Sequence, residues 1–220
     1  MRKQFLKFFK KVVDKYLDNP YIIDVIRRRK KMNNVLNSLC HSHKLVAFTV
    51  DSAEMQKNLN GIVEDFCNHL DDIAEVDDNC VSETEYEPYD KQVVTVGITD
   101  TTYGITYKVK YAFYVSIDGE GHVNPEYVGY DDYYGDMYET NVDLDWCTIN
   151  CYNIDGEIGA DIEDVTIEGD KESMDYFNNR TLEERINLFK SIKVWSRHNG
   201  ENTDFFCLSD YVFENVSDLY

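Results

Sequence analysis

The chain has 220 residues, a formal net charge of −20 and 43% hydrophobic residues, among them 17 tyrosines. This length and apolar content suffice for a buried core, so we expect a folded chain rather than an intrinsically disordered one. The sequence has no apolar run long enough for a transmembrane helix and no apolar signal segment near Met1, and with its six cysteines this predicts a cytoplasmic protein with reduced thiols.

The charge is distributed very unevenly along the chain. Residues 1–44 hold 12 Lys and Arg against 3 Asp, which gives +9, whereas residues 45–220 hold 10 against 39 acids, which gives −29. This polarity predicts partners that are selected by electrostatics. It also predicts two parts, a basic N-terminal helical hairpin over residues 1–44 and an acidic α+β domain over residues 45–220.

The basic part has the pattern of two amphipathic helices. Phe5, Phe9 and Val12 recur at helical spacing, and the pair Asn19-Pro20 is expected to end the first helix. A second helix follows from Tyr21. Five consecutive cations cross its middle and are expected to reach solvent or a partner: Arg27, Arg28, Arg29, Lys30 and Lys31.

The next segment predicts a short strand followed by a long helix. Residues 45–50 are apolar and partly β-branched, and Asp51 with Glu54 resembles a helix capping box. An apolar series at helical spacing then predicts a helix to about Val76. Over residues 77–90 the pattern is lost among acids, which indicates an exposed linker or loop.

The middle of the chain predicts antiparallel strands. Residues 92–98 favour a strand, Asp100 to Gly104 a turn, and residues 105–117 alternate apolar with mainly polar side chains. The pairs Asp118-Gly119 and Asp155-Gly156 are turn signals, so a meander is expected to continue through residues 142–154 and 165–167.

The C-terminal part predicts a helix that closes the core. Thr181 and Glu184 form a second candidate capping box before a helical pattern that continues to Trp195. Residues 196–202 are expected to form a loop, and the apolar run after Phe205 is compatible with a strand or a short helix. The element order predicts an α+β fold, a basic helical hairpin plus an antiparallel sheet of about four to six strands packed by two further helices.

Two short motifs resemble metal sites but lack the required spacing. Cys40-His41-Ser42-His43 supplies zinc-type ligands, yet adjacent ligands rarely surround one tetrahedral ion, and the end of a helix is the simpler interpretation. Cys147 and Cys151 lie within a strand pattern, and they too are interpreted as part of the fold rather than as metal ligands.

Asn141, Asp143 and Asp145 copy the start of a calcium-binding loop, but Trp146 and Tyr152 stand where that loop needs Gly and Glu. A strand with one solvated face accounts for the alternation of these acids with Val142, Leu144 and Trp146. No metal site is predicted.

The sequence contains none of the motifs that specify a reaction. It has no nucleophile elbow, no phosphate-binding glycine loop and no His-Glu-x-x-His metalloprotease motif, and its five histidines are scattered. We therefore expect a protein that is not an enzyme and that needs no cofactor.

One stretch has the composition of a protein interface. Over residues 126–145, tyrosines are interleaved with acids, and tyrosine offers a large, stiff contact area with a hydrogen-bonding end. A solvated loop whose rings lie on the sheet is the alternative. Together with the five cations of the second helix, the residues predicted to bind a partner are Tyr130, Asp131, Asp132, Tyr133 and Tyr134.

These features favour a structural or assembly protein, such as a phage virion or connector component, that forms homo- or hetero-oligomers through its basic and acidic parts. A first alternative is a DNA mimic that inhibits a nucleic-acid-binding protein with rows of carboxylates, of the anti-restriction or anti-CRISPR type. A second alternative is attachment of residues 1–44 to a membrane or a nucleic acid. Binding of nucleic acid by the acidic body itself is not expected.

Overall fold

The structure, a computed structural model, describes residues 44–45, 47–74, 79–88, 90–198 and 201–217. The predicted helical hairpin lies outside this part except for Lys44, so Arg27 to Lys31 and the Cys40 to His43 motif are not described. The nine strands of these described ranges are β1 (Lys44–Leu45), β2 (Phe48–Asp51), β3 (Cys80–Tyr86), β4 (Gln92–Asp100), β5 (Ile105–Asp131), β6 (Gly135–Tyr152), β7 (Asp161–Glu168), β8 (Lys193–His198) and β9 (Glu201–Cys207). The four helices within the described ranges are α1 (Ala53–Ile73), α2 (Lys171–Asn178), α3 (Leu182–Ser191) and α4 (Leu208–Ser217).

The predicted α+β class with an antiparallel sheet is confirmed. Six strands form the main sheet, with β2, β4, β5 and β3 in that order, and β6 and β7 both pairing with β5. A second sheet of three strands has the order β1-β8-β9. Helix α2 was not predicted, and α4 is one of the two alternatives that the sequence allowed after Phe205. Among the described helices, none is both long and apolar enough to cross a membrane.

Strand β5 organises the main sheet because it pairs with four others, all antiparallel. Its first part pairs with β4 on one side and β7 on the other. Its second part pairs with β3 on one side, while β6 follows it from Tyr114 to Asp131 on the other. The predicted alternation from Ile105 to Ile117 is confirmed, and it buries one face of this strand.

All four helices pack on that same face of β5. Tyr107 contacts Phe177 of α2 and Phe189 of α3, with ring centroids 6.4 and 6.0 Å apart. Phe113 packs against Phe213 of α4 at 5.8 Å, and Phe66 of α1 lies over Gly119. The core is therefore a layer of apolar side chains between the sheet and its helices. On the opposite face, Lys108, Lys110 and Tyr114 are exposed.

The predicted turn at Asp118-Gly119 is wrong, because β5 continues through it to Asp131. An added Cβ at Gly119 would lie 2.5 Å from the Phe66 ring and 3.0 Å from the Trp146 carbonyl oxygen. Gly119 therefore allows helix α1 to approach the sheet closely. Glycine within a strand can have this packing role instead of forming a turn. The turn at Asp155-Gly156 is confirmed, with Gly156 at φ +80°.

The predicted loop over residues 77–90 contains strand β3, which pairs with β5. Its alternation is short and its side chains are largely polar, with Val81 the buried apolar residue. The predicted capping box before α1 is also wrong. Asp51 accepts a hydrogen bond from the Ala53 N–H, while Glu54 accepts one from the Thr95 N–H of β4 and so links the helix to the sheet.

At the C-terminal side the capping box of Thr181 and Glu184 is confirmed, with both of its hydrogen bonds present. The helix it starts ends at Ser191 rather than at Trp195. The predicted loop over residues 196–202 is wrong for its described residues, because 196–198 belong to β8 and 201–202 to β9. These two strands are antiparallel, and β1 pairs with β8 as a parallel strand. The apolar run after Phe205 completes β9 and then begins α4, so the predicted strand and the predicted short helix are both present, one after the other.

Candidate functional site

The ends of β5 and β6 form a two-stranded hairpin beyond the core. We call residues 124–141 of this hairpin the acidic arm. Past the buried Val123, every residue of the acidic arm is exposed or half-buried, and among the described strands β5 and β6 pair there only with each other. From Asn124 to Asp131 the arm extends about 25 Å at the usual rise of a strand. The stretch of tyrosines and acids that was predicted as an interface thus contributes to both strands of one projecting hairpin.

A compact turn joins the two strands of the acidic arm. Asp131 pairs with Gly135, and its Oδ1 accepts hydrogen bonds from the N–H groups of Tyr133 at 2.8 Å and Tyr134 at 3.0 Å. These two backbone donors hold the pKa of the Asp131 carboxyl below its usual range. Gly135 has φ +83°, a value that glycine adopts without strain. Asp131 therefore shapes the turn.

The acidic arm exposes a concentration of aromatic side chains. Tyr133 and Tyr134 at the turn are 86% and 80% exposed, and their rings meet edge to face at 4.9 Å. Tyr127 and Tyr138 are opposite each other across the strands, with centroids 5.6 Å apart. The further exposed apolar side chains of the arm are Val128, Tyr130 and Met137. Large exposed apolar groups in one patch are typical of protein contact sites.

The carboxylates of the acidic arm have no cationic partner among the described residues. Glu126 and Glu139 are direct cross-strand neighbours, a like-charge pair that weakens a hairpin. The Asn141 amide donates to Glu126 at 3.4 Å and so relieves only part of this repulsion. Over residues 111–170 the chain has 16 Asp and Glu and no Lys or Arg. A cationic partner would therefore find carboxylates that are not already neutralised by described side chains.

The two faces of the hairpin differ in chemistry. One face continues the core side of the sheet and presents Tyr138, Thr140, Val142 and Leu144 along β6. The other face presents Glu139, Asn141 and Asp143, because side chains alternate along a strand. Val142 and Leu144 are half-buried against the core.

A polar cluster lies at the base of the acidic arm. Glu120 accepts hydrogen bonds from the Cys80 thiol at 2.7 Å and from the Trp146 indole N–H at 3.1 Å. Both bonds favour the carboxylate, the thiol contact more strongly, and they lower the pKa of Glu120. His122 Nδ1 pairs with Asp145 beside them. Because its thiol donates to a carboxylate, Cys80 is not placed as an activated nucleophile.

Trp146 belongs to this cluster because of a β-bulge that the sequence pattern did not reveal. The register shifts between Glu120 and Gly121, so that Asp145 has no opposite residue and the alternation of β6 changes phase. Trp146 was expected on the same face as Val142 and Leu144, yet it pairs with Glu120 and is 48% exposed. Cys147 and Cys151 lie within β6, as predicted.

In the described part of the chain, two cavities adjoin strands β5 and β6. The larger, about 530 Å³, lies between α4 and the loop after β6, where Tyr111, Cys151, Lys190 and Asp210 contribute to its lining. Burial raises the pKa of the Cys151 thiol to about 11, which disfavours the nucleophilic thiolate. A second cavity of about 450 Å³ lies around Tyr114. In the described ranges, no group of three or more His, Cys, Asp or Glu side chains is arranged to hold a metal ion.

The structure brings half of the predicted partner-binding residues together. Tyr130 and Asp131 end β5, and Asp132, Tyr133 and Tyr134 form the turn. The predicted cations of the second helix lie outside the described residues. Sequence reasoning did not identify the apposition of Glu126 with Glu139 or the polar cluster at the base. Gly135 after Asp131 was the available signal for a turn at this point.

Comparisons with protein-family models, with curated proteins and with solved structures find no match to this chain.

Proposed function

We propose that this chain is a non-enzymatic assembly protein that docks a cationic partner protein through the acidic arm. The observation that carries the proposal is the combination, on one projecting hairpin, of exposed tyrosines with carboxylates that have no described counter-charge. Buried aromatic anchors supply most of the energy of a protein interface, and complementary charge supplies rate and selectivity. A component of a phage virion or connector is the kind of assembly protein we propose.

The two parts of the acidic arm have different roles in this proposal. Tyr133 and Tyr134 lie at the far end, where a partner can enclose both rings, and their joint backbone contact to Asp131 fixes the turn before binding. A preformed turn reduces the ordering cost that a flexible loop would add to binding. Asp132, Asp136 and Glu139 provide the negative potential around the rings. The basic residues 1–44 of a second copy are one cationic partner consistent with this charge, which would give a homo-oligomer.

The experiment compares the full chain with a variant that lacks the terminal rings. Tyr133→Ser with Tyr134→Ser is expected to remove a protein partner, or self-association, that the unmodified chain shows in native mass spectrometry at low salt. Ile154→Ser with Ile158→Ser is the matched control, because these side chains are also exposed, Ile158 by 84%, but lie outside the acidic arm. Equal loss in both variants, or no association of the unmodified chain at any ionic strength, would refute the proposal.

A DNA mimic is the second candidate, and the uninterrupted acidity of residues 111–170 favours it. Rows of carboxylates attract proteins whose own ligand is the phosphate backbone. Under this alternative, duplex DNA would compete with the chain for its partner, and neutral substitutions of the acids would weaken binding more than loss of Tyr133 and Tyr134. Under the assembly proposal the tyrosine variant has the larger effect. Attachment of residues 1–44 to a membrane stays a prediction from the sequence.

A further inference from the structure

We infer that the outer edge of β6, over residues 136–144, binds an extended cationic segment of the partner protein by strand addition. This inference rests on the proposed function and specifies how the acidic arm holds its partner. In strand addition the main-chain groups of an exposed edge pair with an incoming strand, and side chains on alternate positions determine which strand fits.

The edge is long and regular. Strand β6 has 18 residues, and on the side away from β5 no described strand pairs with it. Among the described residues, this edge is covered at its C-terminal end, where Tyr152 bridges Ile158 and the Gly159 N–H donates to the Cys151 carbonyl. Between residues 136 and 144 there is neither a proline nor a bulge on β6. Along about 30 Å, this span offers backbone donors and acceptors that no described strand pairs with.

The other edges of the main sheet are interrupted or covered. On β5 the free edge of the arm contains Pro125, which has no N–H, and a register shift at Val128. Arg185 of α3 donates to the Val165 carbonyl of β7 at 2.8 Å. Strand β2 is four residues long, and β3 has a register shift at its end. Such features protect edges against unwanted pairing. Within the described part of the chain, residues 136–144 of β6 lack these features, and their protection is the charge of their acids.

The side chains of β6 specify the chemistry of the incoming strand. On one face Glu139 and Asp143 would lie beside its lysines or arginines. On the other face Tyr138, Val142 and Leu144 would lie beside apolar side chains. The strand that fits is therefore amphipathic, with basic and apolar residues in alternation. A second copy of β6 fits poorly, because an antiparallel pair centred on Asn141 would place Glu139 and Asp143 beside Asp143 and Glu139 of the other copy.

The test uses the full chain and peptides of about eight residues with alternating lysine and valine, a length that matches a typical strand. We expect saturable binding, with slowed amide hydrogen exchange for alternate residues of 136–144. A peptide with the same side chains but N-methyl groups on the amides of one edge keeps its charge and loses the donors. It is expected to lose both the binding and the slowed exchange, as is a peptide of alternating glutamate and valine.

A charge-reversed chain supplies the second arm of the test. Glu139→Lys with Asp143→Lys is expected to weaken binding of the basic peptide by about tenfold or more, since two charge pairs are replaced by repulsion. Asp155→Lys with Glu157→Lys makes the same change of net charge in the exposed turn after β6 and is expected to leave binding within about twofold. Circular dichroism of each variant establishes that the fold is retained.

The outcomes separate this inference from the proposed function. If the N-methylated peptide binds as well as the parent, or if exchange in residues 136–144 is unchanged at saturation, strand addition is overturned. The proposed function would survive that result, because it depends on the loss of the partner with Tyr133 and Tyr134. If the basic peptide shows no binding even at millimolar concentration, the inference is likewise overturned.

Discussion

At the scale of single residues, two glycines illustrate how little the residue type says without its surroundings. Gly119 lies under the Phe66 ring in the core, whereas at Gly61 of α1 no described atom outside its own helix backbone and chain neighbours lies within 4 Å of an added Cβ. The residue type alone does not distinguish these two positions. Their substitution by alanine should have opposite effects.

Gly119→Ala is expected to destabilise the protein by about 1–3 kcal/mol, because the added methyl group forces Phe66 or the β6 backbone to move. Gly61→Ala is expected to stabilise it by about 0.5–1 kcal/mol, because alanine favours the helix more than glycine does. Urea unfolding of the two variants against the unmodified chain measures both changes. A neutral Gly119→Ala would contradict the packing described for this position.

Gly119 also explains why a turn was wrongly predicted at Asp118-Gly119. Asp followed by Gly is a good turn signal when the chain is considered alone. Here a helix distant in sequence needs a position without a side chain, and the strand supplies it. At Asp155-Gly156 nothing of the described chain lies within 4 Å of an added Cβ, and the local preference of the pair prevails. Identical dipeptides therefore differ in outcome through tertiary packing, which no local pattern contains.

At the scale of elements, the turn of the acidic arm should respond to pH. The Asp131 carboxylate has a pKa below its ordinary value, so its contribution to the turn is fully present above that ordinary value and is lost as the pH falls through the lower one. The amide proton shifts of Tyr133 and Tyr134 should follow this titration in NMR spectra. Their common midpoint is expected below about 3.9, the usual value for aspartate.

Asp131→Asn is the matched control for this prediction. Asparagine keeps an acceptor oxygen for the two N–H groups but does not titrate in this range. The amide shifts of Tyr133 and Tyr134 should then stay constant over the same pH interval. A midpoint at or above the ordinary aspartate value in the unmodified chain would show that the two backbone hydrogen bonds do not form in solution.

Elements whose apolar residues recur at a regular spacing were predictable from the sequence. Elements whose position depends on the strand with which they pair were not. Helix α1 and the first half of β5 each bury one regular face, so their patterns are visible in the sequence. Strand β3 was missed because its residues are mostly polar and its register is set by β5. The phase change at Asp145 was missed for a similar reason, since a bulge depends on the opposite strand.

At the scale of the whole molecule, the excess of negative charge should make stability depend on salt. The described ion pairs are few, for example Arg185 with Asp164 at 3.0 Å, and they lie among many more carboxylates. Sodium chloride screens the repulsion between these carboxylates. Raising it from about 20 mM to about 500 mM is expected to increase the melting temperature by a few degrees.

Calorimetry of the full chain across this range measures the effect. A variant with Asp155→Asn and Glu157→Gln carries two fewer charges in an exposed turn and should show a smaller increase. A melting temperature that falls with added sodium chloride would mean that favourable ion pairs outweigh the repulsion.

The candidate site was predicted from the composition in part. Its residue types were predicted, whereas its projection and its free edge are properties of the assembled sheet.

The length of β5 has a mechanical consequence. One strand of 27 residues, with a register shift in the acidic arm at Val128, forms the centre of the sheet at its start and the contact surface at its end, with no linker between the two. A molecule held at the tip is joined to the body by two paired strands rather than by a flexible linker, which restricts its angle and distance. Tension applied there would load the central strand directly, along hydrogen bonds that share the force as a row rather than opening one after another.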